Sequence, residues 1–250
     1  MTLAGKHALV TGGGTGIGLG IARMLAEQGA QVTITGRRQS VLDDVAGDTL
    51  HGVAMDVRNE DEVVDTIAAA VASRGPIQIC VPNAGIATGK AAHKTDMAFW
   101  RDMMATNLDG AFLTIRESLK SMRETDWGRV VAVSSMAGLR GLPGAACYTA
   151  SKHGMIGLIR ALSEEYLGKP YTFNALCPGY VDTEIITRNT ASISERAGIP
   201  QDQARKMMVE ANRHKRLVTV DEVTAAAAFL VGPASGSING QSLPIAGGQM

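Results

Sequence analysis

The chain has 250 residues, 45% of them hydrophobic, and its 24 basic and 24 acidic side chains leave no formal net charge. Without a broad basic field or an apolar run of roughly 18 residues, we expect neither nucleic acid nor a membrane as a partner, and the first residues do not resemble a secretory signal. The three cysteines lie far apart and the five histidines lack ligand spacing, so the sequence predicts no disulfide and no metal site and favours the cytoplasm.

Apolar, strand-like runs alternate along the chain with segments of helical periodicity. The predicted strands cover residues 7–11, 31–35, 51–57, 77–81, 129–134, 171–176 and 241–245. The predicted helices cover residues 17–28, a segment after 59, and residues 99–122, 148–167 and 221–230. In the first helix Ile17, Ile21 and Leu25 share one face, and Asn59 with Glu62 forms the cap of the next.

Strands separated by helices of this length need crossover connections, which predicts a parallel sheet. No linker, repeat or shift in composition divides the chain. We therefore expect one α/β domain spanning residues 1–250, with a doubly wound parallel sheet and helices on both faces.

Residues 182–216 do not follow this alternation. A long insertion late in an α/β domain usually covers a site, so we interpret the segment as a substrate lid, with a plain surface excursion as the alternative. Four of its cations could meet an anionic substrate such as an acyl-CoA phosphate, although solvated surface is the simpler interpretation. They are Arg188, Arg213, Lys215 and Arg216.

A glycine-rich stretch, T-G-G-G-T-G-I-G at residues 11–18, lies between the first strand and the first helix. Glycines at this point let the backbone approach a pyrophosphate, and the N–H groups of the helix face it. The strict G-x-G-x-x-G spacing is absent, and the usable glycines are Gly12, Gly16 and Gly18. The pattern predicts a dinucleotide site, and an ordinary glycine-rich turn is the alternative.

The residues after the second strand indicate which dinucleotide binds. An acidic side chain there would bind the ribose diol of NAD, but this chain has Arg37 and Arg38. A guanidinium pairs with a 2′-phosphate, so the sequence favours NADP(H) and leaves NAD(H) possible. Two solvated arginines remain the alternative.

Tyr148 and Lys152 stand four residues apart at the start of a predicted helix, so they project from one face. A free phenol titrates near pH ~10, and an adjacent ammonium together with an oxidised nicotinamide ring favours the phenolate. The pair therefore indicates proton transfer, although this spacing alone is common in structural helices.

The motifs of the chain, taken in order, resemble those of the short-chain dehydrogenase/reductase family, and the resemblance spans the whole chain. They are the glycine motif at 11–18, Asp56, N-A-G at 83–85, Asn107, Ser135 thirteen residues before the tyrosine, Y-x-x-x-K at 148–152 and P-G-x-x-x-T at 178–183. Many members have a second asparagine where this chain has Pro82. Some NADP-preferring members carry a basic residue where this chain has Thr15.

The resemblance implies a Rossmann-type fold and a mechanism in which hydride moves to or from nicotinamide C4. Tyr148 would transfer the proton, Ser135 would bind the substrate oxygen, Lys152 would bind the nicotinamide ribose, and Asn107 would continue a proton path through its main-chain carbonyl and a water. The implied cofactor contacts are Gly12, Thr15, Gly16, Ile17, Gly18, Arg37, Arg38, Asp56, Val57, Asn83, Ala84, Gly85, Tyr148, Lys152, Pro178, Gly179, Val181 and Thr183.

The sequence thus predicts an NADP(H)-preferring oxidoreductase that interconverts a secondary alcohol and a ketone. Leading substrates are 3-oxoacyl thioesters and cyclic or aryl ketones, and the resemblance implies a homotetramer or homodimer. The alternatives are an NAD(H)-dependent alcohol or 3-hydroxyacyl-CoA dehydrogenase, an epimerase or dehydratase on the same fold, and a catalytically silent nucleotide-binding subunit. The intact set of asparagine, serine, tyrosine and lysine argues against the last.

Overall fold

In the computed structural model, which describes residues 2–248 apart from the side chain of Arg196, seven strands form one parallel sheet. The strands are β1 (His7–Thr11), β2 (Gln31–Gly36), β3 (Leu50–Ala54), β4 (Ile77–Val81), β5 (Gly128–Val133), β6 (Tyr171–Pro178) and β7 (Ser242–Ile245). Their order is β3-β2-β1-β4-β5-β6-β7, and every neighbouring pair is parallel. The order reverses between β1 and β4, which opens a crevice at the carboxyl ends of these strands.

Helices cover both faces of the sheet. They are α1 (Gly16–Glu27), α2 (Gln39–Asp43), α3 (Glu60–Arg74), α4 (Met97–Met104), α5 (Gly110–Met122), α6 (Ala146–Glu165), α7 (Glu184–Ala197), α8 (Gln201–Ala211) and α9 (Val220–Val231). Helices α1 and α9 bury apolar side chains against one face, and α3, α5 and α6 do so against the other. Successive strand residues point to opposite faces, so Val10 belongs to the first core and Leu9 to the second. The predicted doubly wound α/β fold is confirmed.

Local differences from the predicted elements have identifiable causes. The helix predicted at 99–122 is two helices joined by a π-helical turn, Ala105–Asp109, which apolar periodicity does not reveal. The strand predicted at 51–57 ends at Ala54, because Asp56 and Val57 already lie in the loop that follows. The sequence analysis also missed the short helix α2. The cap predicted at Asn59 is present, since its side chain accepts hydrogen bonds from Asp61 N and Glu62 N at 3.1 and 3.4 Å.

Residues 182–216 contain α7 and α8, which pack on each other around a small apolar cluster that includes Ile186, Met208 and Leu217. The two ends of the segment are joined, because Asp182 N donates to Val218 O and Val218 N donates to Tyr180 O, both at 2.9 Å. The segment is therefore an ordered pair of helices inserted between β6 and α9.

The part of the chain that the structure describes has neither a membrane-spanning helix nor a cluster of metal ligands. No helix there has the length and apolar character needed to cross a bilayer. No group of three or more His, Cys, Asp or Glu side chains there could hold a metal ion.

Candidate active site

The glycine loop after β1 has the backbone of an anion cradle. Gly12 and Gly16 have φ angles of 64° and 53°, which side chains other than glycine rarely adopt. A Cβ on Gly18 would overlap the carbonyl oxygen of Gly12. Thr15 precedes α1 without a side-chain cap, and the first turn has no acidic residue, so the N–H groups of Gly16, Ile17 and Gly18 remain available to a phosphate, whereas Leu19 N already donates to Thr15 O. The loop fits the pyrophosphate of a dinucleotide.

Asn83 and Ala84, directly after β4, are fixed to the glycine loop by hydrogen bonds. Their backbone N–H groups both donate to Oγ1 of Thr11 at 3.0 Å. The Asn83 amide also donates to the carbonyl oxygens of Thr11 and Gly12, at 2.9 and 3.2 Å. Thr11 thus joins the two strands on either side of the crevice.

The predicted nucleotide-selecting residues surround the ends of β2 and β3. Arg37 and Arg38 are exposed, and neither guanidinium makes a hydrogen bond or salt bridge within the described part of the chain. Asp56 is held by Arg58 through contacts of 2.6–3.1 Å, and these hydrogen bonds, with a smaller effect from the charge of Arg37, lower the pKa of Asp56. Val57 is buried where a Cβ on Gly110 would meet it.

Tyr148, Ser135 and Lys152 converge between β5 and α6. Burial raises the pKa of Tyr148, and the hydroxyl of Ser135, hydrogen-bonded to the phenol, lowers it in part. The Lys152 ammonium lies 6.0 Å from the centre of the tyrosine ring and donates to the carbonyl of Val133 at 2.9 Å. Burial lowers the pKa of Lys152 to about 8. In the protein alone, the lysine therefore does not produce the lowered phenol pKa that the sequence analysis expects.

The two adjacent serines have different environments. Ser134 is buried and donates to the backbone carbonyl of Lys152 at 3.2 Å, which ties β5 to α6. Ser135 is partly exposed in the cleft and accepts from Ala137 N at 3.1 Å. Of the two, Ser135 is the one whose hydroxyl meets the phenol of Tyr148.

Asn107 lies fully buried in the π-helical turn. Its amide exchanges two hydrogen bonds with the backbone of Ile86, at 2.8 and 2.9 Å, and donates to Ser151 Oγ at 3.1 Å. Ser151 in turn donates to the carbonyl of Tyr148 at 2.8 Å. A Cβ on Gly85 would lie 3.2 Å from Asn107 Oδ1 and 3.7 Å from the Lys152 ammonium. The sequence analysis missed Ser151, although it lies within the Y-x-x-x-K motif.

The P-G turn after β6 approaches the glycine loop from the other side. Pro178 and Val181 are buried, and a Cβ on Gly16 would lie 3.4 Å from Thr183 Cγ2. Gly179 packs against the amide of Asn212, where a Cβ would stand 2.5 Å from Oδ1. Asn212, which the sequence analysis did not single out, is fully buried and bonds to the N–H and C=O of Tyr180 at 3.0 and 2.9 Å. The turn is thereby fixed to the end of α8.

A cleft of about 740 Å³ opens in front of Tyr148 and Ser135. One wall is the loop between β5 and α6, and the opposite wall comes from α7 and α8 and is mainly apolar. None of the four cations that the sequence analysis considered for an anionic substrate, at 188, 213, 215 and 216, is among the described residues that line it. The charged residues that do line it are Lys90, Lys94 and Arg140, which the sequence analysis did not identify.

Comparison with known proteins agrees with this geometry. Residues 6–193 match the family model described as short chain dehydrogenase. The chain is 32% identical to a D-beta-hydroxybutyrate dehydrogenase of Rhizobium meliloti, covering 97% of this chain and 98% of that protein. It is 34% identical to a 3-oxoacyl-(acyl-carrier-protein) reductase of Vibrio cholerae, covering 99% and 98%.

Among solved structures, an actinorhodin polyketide ketoreductase variant with NADPH superimposes with a TM-score of 0.93 at 34% identity, covering 97% of this chain and 96% of that one. The family's members are oxidoreductases that interconvert alcohols and carbonyl compounds with a nicotinamide dinucleotide. The chain belongs to the short-chain dehydrogenase family.

Proposed function

We propose that this enzyme is an NADP(H)-preferring reductase or dehydrogenase that interconverts a ketone and a secondary alcohol with an apolar body. The observation that carries the proposal is that Tyr148 and Ser135 line a cleft that adjoins the glycine loop, with the buried Lys152 ammonium 6.0 Å from the centre of the tyrosine ring. The bound coenzyme supplies or accepts the hydride. Side chains of this protein bind the substrate oxygen and transfer the proton.

Tyr148 donates its proton to the substrate oxygen during reduction and takes it back during oxidation. A phenol whose pKa burial raises holds its proton at neutral pH, which suits the donor role. Ser135 binds the same oxygen as negative charge develops on it. Lys152 binds the ribose next to the nicotinamide ring, and Asn107 continues the proton path to solvent through its main-chain carbonyl.

The coenzyme preference rests on Arg37, with Arg38 in support. Both side chains are exposed beside the end of β2, where the ribose of the adenosine half binds. The charge of Arg37 contributes to the lowered pKa of Asp56, as the last and smallest of its causes. Asp56 is paired with Arg58, and the position after β2 where an acidic side chain would bind a ribose diol holds arginine instead.

Titration with NADPH and NADH, followed by nicotinamide fluorescence, tests this preference. Arg37→Gln should weaken NADPH binding about ten- to hundredfold, the effect of losing one charge-assisted hydrogen bond, and leave NADH nearly unchanged. The matched control is Arg23→Gln, an exposed arginine on α1 remote in sequence from this loop. Equal affinities of the parent enzyme for both coenzymes would favour the second candidate, an NAD(H)-dependent alcohol or 3-hydroxyacyl-CoA dehydrogenase.

The substrate class follows from the cleft. Its apolar wall on α7 and α8 suits the carbon skeleton of a 3-oxoacyl thioester or of a cyclic or aryl ketone. One relative is named a 3-oxoacyl reductase, and one solved neighbour is a polyketide ketoreductase. We assign the 182–216 segment the role of a lid within a single nucleotide-binding domain spanning residues 1–250.

The decisive test is Tyr148→Phe, assayed with a panel of ketones at saturating coenzyme. Removal of the hydroxyl should lower kcat by about 10²- to 10⁴-fold while the variant still binds coenzyme. Ser135→Ala is the companion variant, because it removes the oxygen-binding hydroxyl and leaves the phenol. A folded Tyr148→Phe enzyme with the parent's kcat would refute the mechanism.

The enzyme should form a homotetramer or homodimer through the outward faces of α5 and α6. Phe112 on α5 is 45% exposed and supplies an apolar side chain that a second copy of the chain would cover. Light scattering coupled to size-exclusion chromatography measures the mass, and Phe112→Glu should reduce it. A monomeric parent protein would contradict this assignment.

A further inference from the structure

The charged side chains that the structure places along the substrate cleft are basic. Among its described lining residues the charged ones are Lys90, Lys94 and Arg140, and none is acidic. Lys90 is neutralised by Asp96 at 2.8 Å and lies over the ring of Phe99. Lys94 is exposed. The charge that faces the interior of the cleft without a carboxylate is therefore that of Arg140.

Arg140 lies in the loop between β5 and α6, five residues after Ser135. Its backbone N–H donates to the carbonyl of Met136 at 3.1 Å, which fixes the start of the side chain. Within residues 2–248 its guanidinium has no salt bridge, and its buried Nε has no hydrogen-bond partner. Arg140 as a whole is partly exposed and lines the cleft, so its guanidinium can offer charge-assisted hydrogen bonds to an anion that enters.

Arg140 shares the cleft with the reacting groups. Arg140, Tyr180 and Tyr148 all line the same cavity of about 740 Å³. The charge of Arg140 also lowers the pKa of Tyr180 in part, against the larger effect of burial, which agrees with this shared cavity. A substrate in the cleft can place its carbonyl at Tyr148 and present an anionic group to Arg140.

We infer that Arg140 binds a carboxylate carried by the substrate itself, so that the enzyme acts on apolar oxo acids and the corresponding hydroxy acids. The inference rests on the proposed function and narrows its substrate class to ketones that carry a free carboxylate, in place of the 3-oxoacyl thioesters. A carboxylate and the phosphate of an acyl carrier offer the same oxygen chemistry to a guanidinium. We assign the carboxylate because a carrier phosphate is separated from its thioester by the long pantetheine arm, whereas Arg140 lines the same cleft as Tyr148.

Matched substrate pairs test the inference. The probes are 5-oxohexanoate and 4-oxocyclohexanecarboxylate, each beside its methyl ester, and the quantity measured is the ratio of kcat/KM for acid and ester. The parent enzyme should favour the acid about ten- to hundredfold, mostly through a lower KM. This is the gain in binding that one charge-assisted hydrogen bond provides. In Arg140→Gln the ratio should fall toward one. Arg140→Lys should give an intermediate ratio, because lysine keeps the positive charge but lacks the two parallel N–H donors of a guanidinium.

Two controls keep the outcomes distinct. Lys94→Gln removes a cation from the same cleft and should leave the ratio within about twofold; a fall equal to that of Arg140→Gln would overturn the inference in favour of a diffuse field. Coenzyme affinity of each variant, measured by nicotinamide fluorescence, shows that it is folded. A preference for a phosphopantetheine thioester over the pantetheine thioester, lost in Arg140→Gln, would replace the carboxylate by a phosphate.

Failure of the inference and failure of the proposed function give different results. Equal kcat/KM for acids and esters in the parent enzyme, with good turnover of both, would overturn the carboxylate assignment and leave the ketone reductase intact. No turnover of any ketone with either coenzyme would overturn both.

Discussion

Lys152 carries a charge that the fold penalises, and this penalty can be measured without substrate. The side chain is 4% exposed, and its ammonium donates to the Val133 carbonyl without a carboxylate to balance it. Burial lowers its pKa from 10.5 to about 8. Lys152→Met keeps a long apolar side chain and removes the charge, so we predict that the variant's stability depends differently on pH.

The sign and size follow from proton linkage. Between pH 8 and 10.5 the unfolded chain binds the proton at this lysine more tightly than the folded protein does, so this group makes the free energy of unfolding rise with pH. A depression of this size corresponds to about 3 kcal/mol in total, of which roughly 2–3 kcal/mol is relieved between pH 7 and 10. The variant lacks this contribution. Its stability relative to the parent should therefore fall by about 2–3 kcal/mol over that interval.

Urea denaturation of the coenzyme-free proteins at pH 7 and pH 10, at equal protein concentration, measures the difference. The control is Lys206→Met, because the Lys206 side chain is 73% exposed and its removal should give a difference that is the same at both pH values. Cys177 is the thiol that interacts with Lys152, and its pKa of about 11 keeps it mostly protonated over this interval. A stability difference for Lys152→Met that does not change with pH would refute the argument.

Three further substitutions test the scaffold of the site. Gly18→Ala places a Cβ against the carbonyl of Gly12 and should weaken NADPH binding by at least about tenfold in a fluorescence titration. Unchanged affinity would show that the glycine loop can shift to accommodate the methyl group. Thr11→Val leaves two backbone N–H groups without their acceptor and should cost about 2 kcal/mol of stability, seen as a lower Tm. Asn212→Ala removes the bonds that hold the backbone of Tyr180 and should speed tryptic cleavage within residues 182–216; identical digestion of parent and variant would contradict this.

Much of the fold was predictable because its signals are local. Each buried strand is a short apolar run bounded by turn residues, and Ile21 and Leu25 show the helical period on the face that α1 buries. The π-helical turn at Ala105–Asp109 was not predictable from that pattern, because one extra residue per turn changes the periodicity too little to detect. The helices of the 182–216 segment were missed for another reason: most of their residues are polar, so their few apolar side chains did not stand out although they lie on one face.

For the site, the sequence predicts which residue types come together but not their electrostatic state. The spacing of Tyr148 and Lys152 places them on one face of α6, as the structure shows. The raised pKa of Tyr148 depends on burial by elements distant in sequence, which no local motif encodes. Arg140 escaped notice for the same reason, since its importance comes from the absence of acidic neighbours in a cleft assembled from several loops.

The joined ends of the segment between Tyr180 and Val218 have a consequence for how such enzymes diversify. The first and last residues of the insert are joined by backbone hydrogen bonds. The chain therefore leaves the rest of the domain after β6 and returns to it before α9 at the same place. The entropy of closing a loop grows only with the logarithm of its length, so the insert can be lengthened, shortened or exchanged as a unit at small thermodynamic cost. A new carbon skeleton could then be accommodated by grafting one stretch of chain, with the dinucleotide-facing loops left as they are.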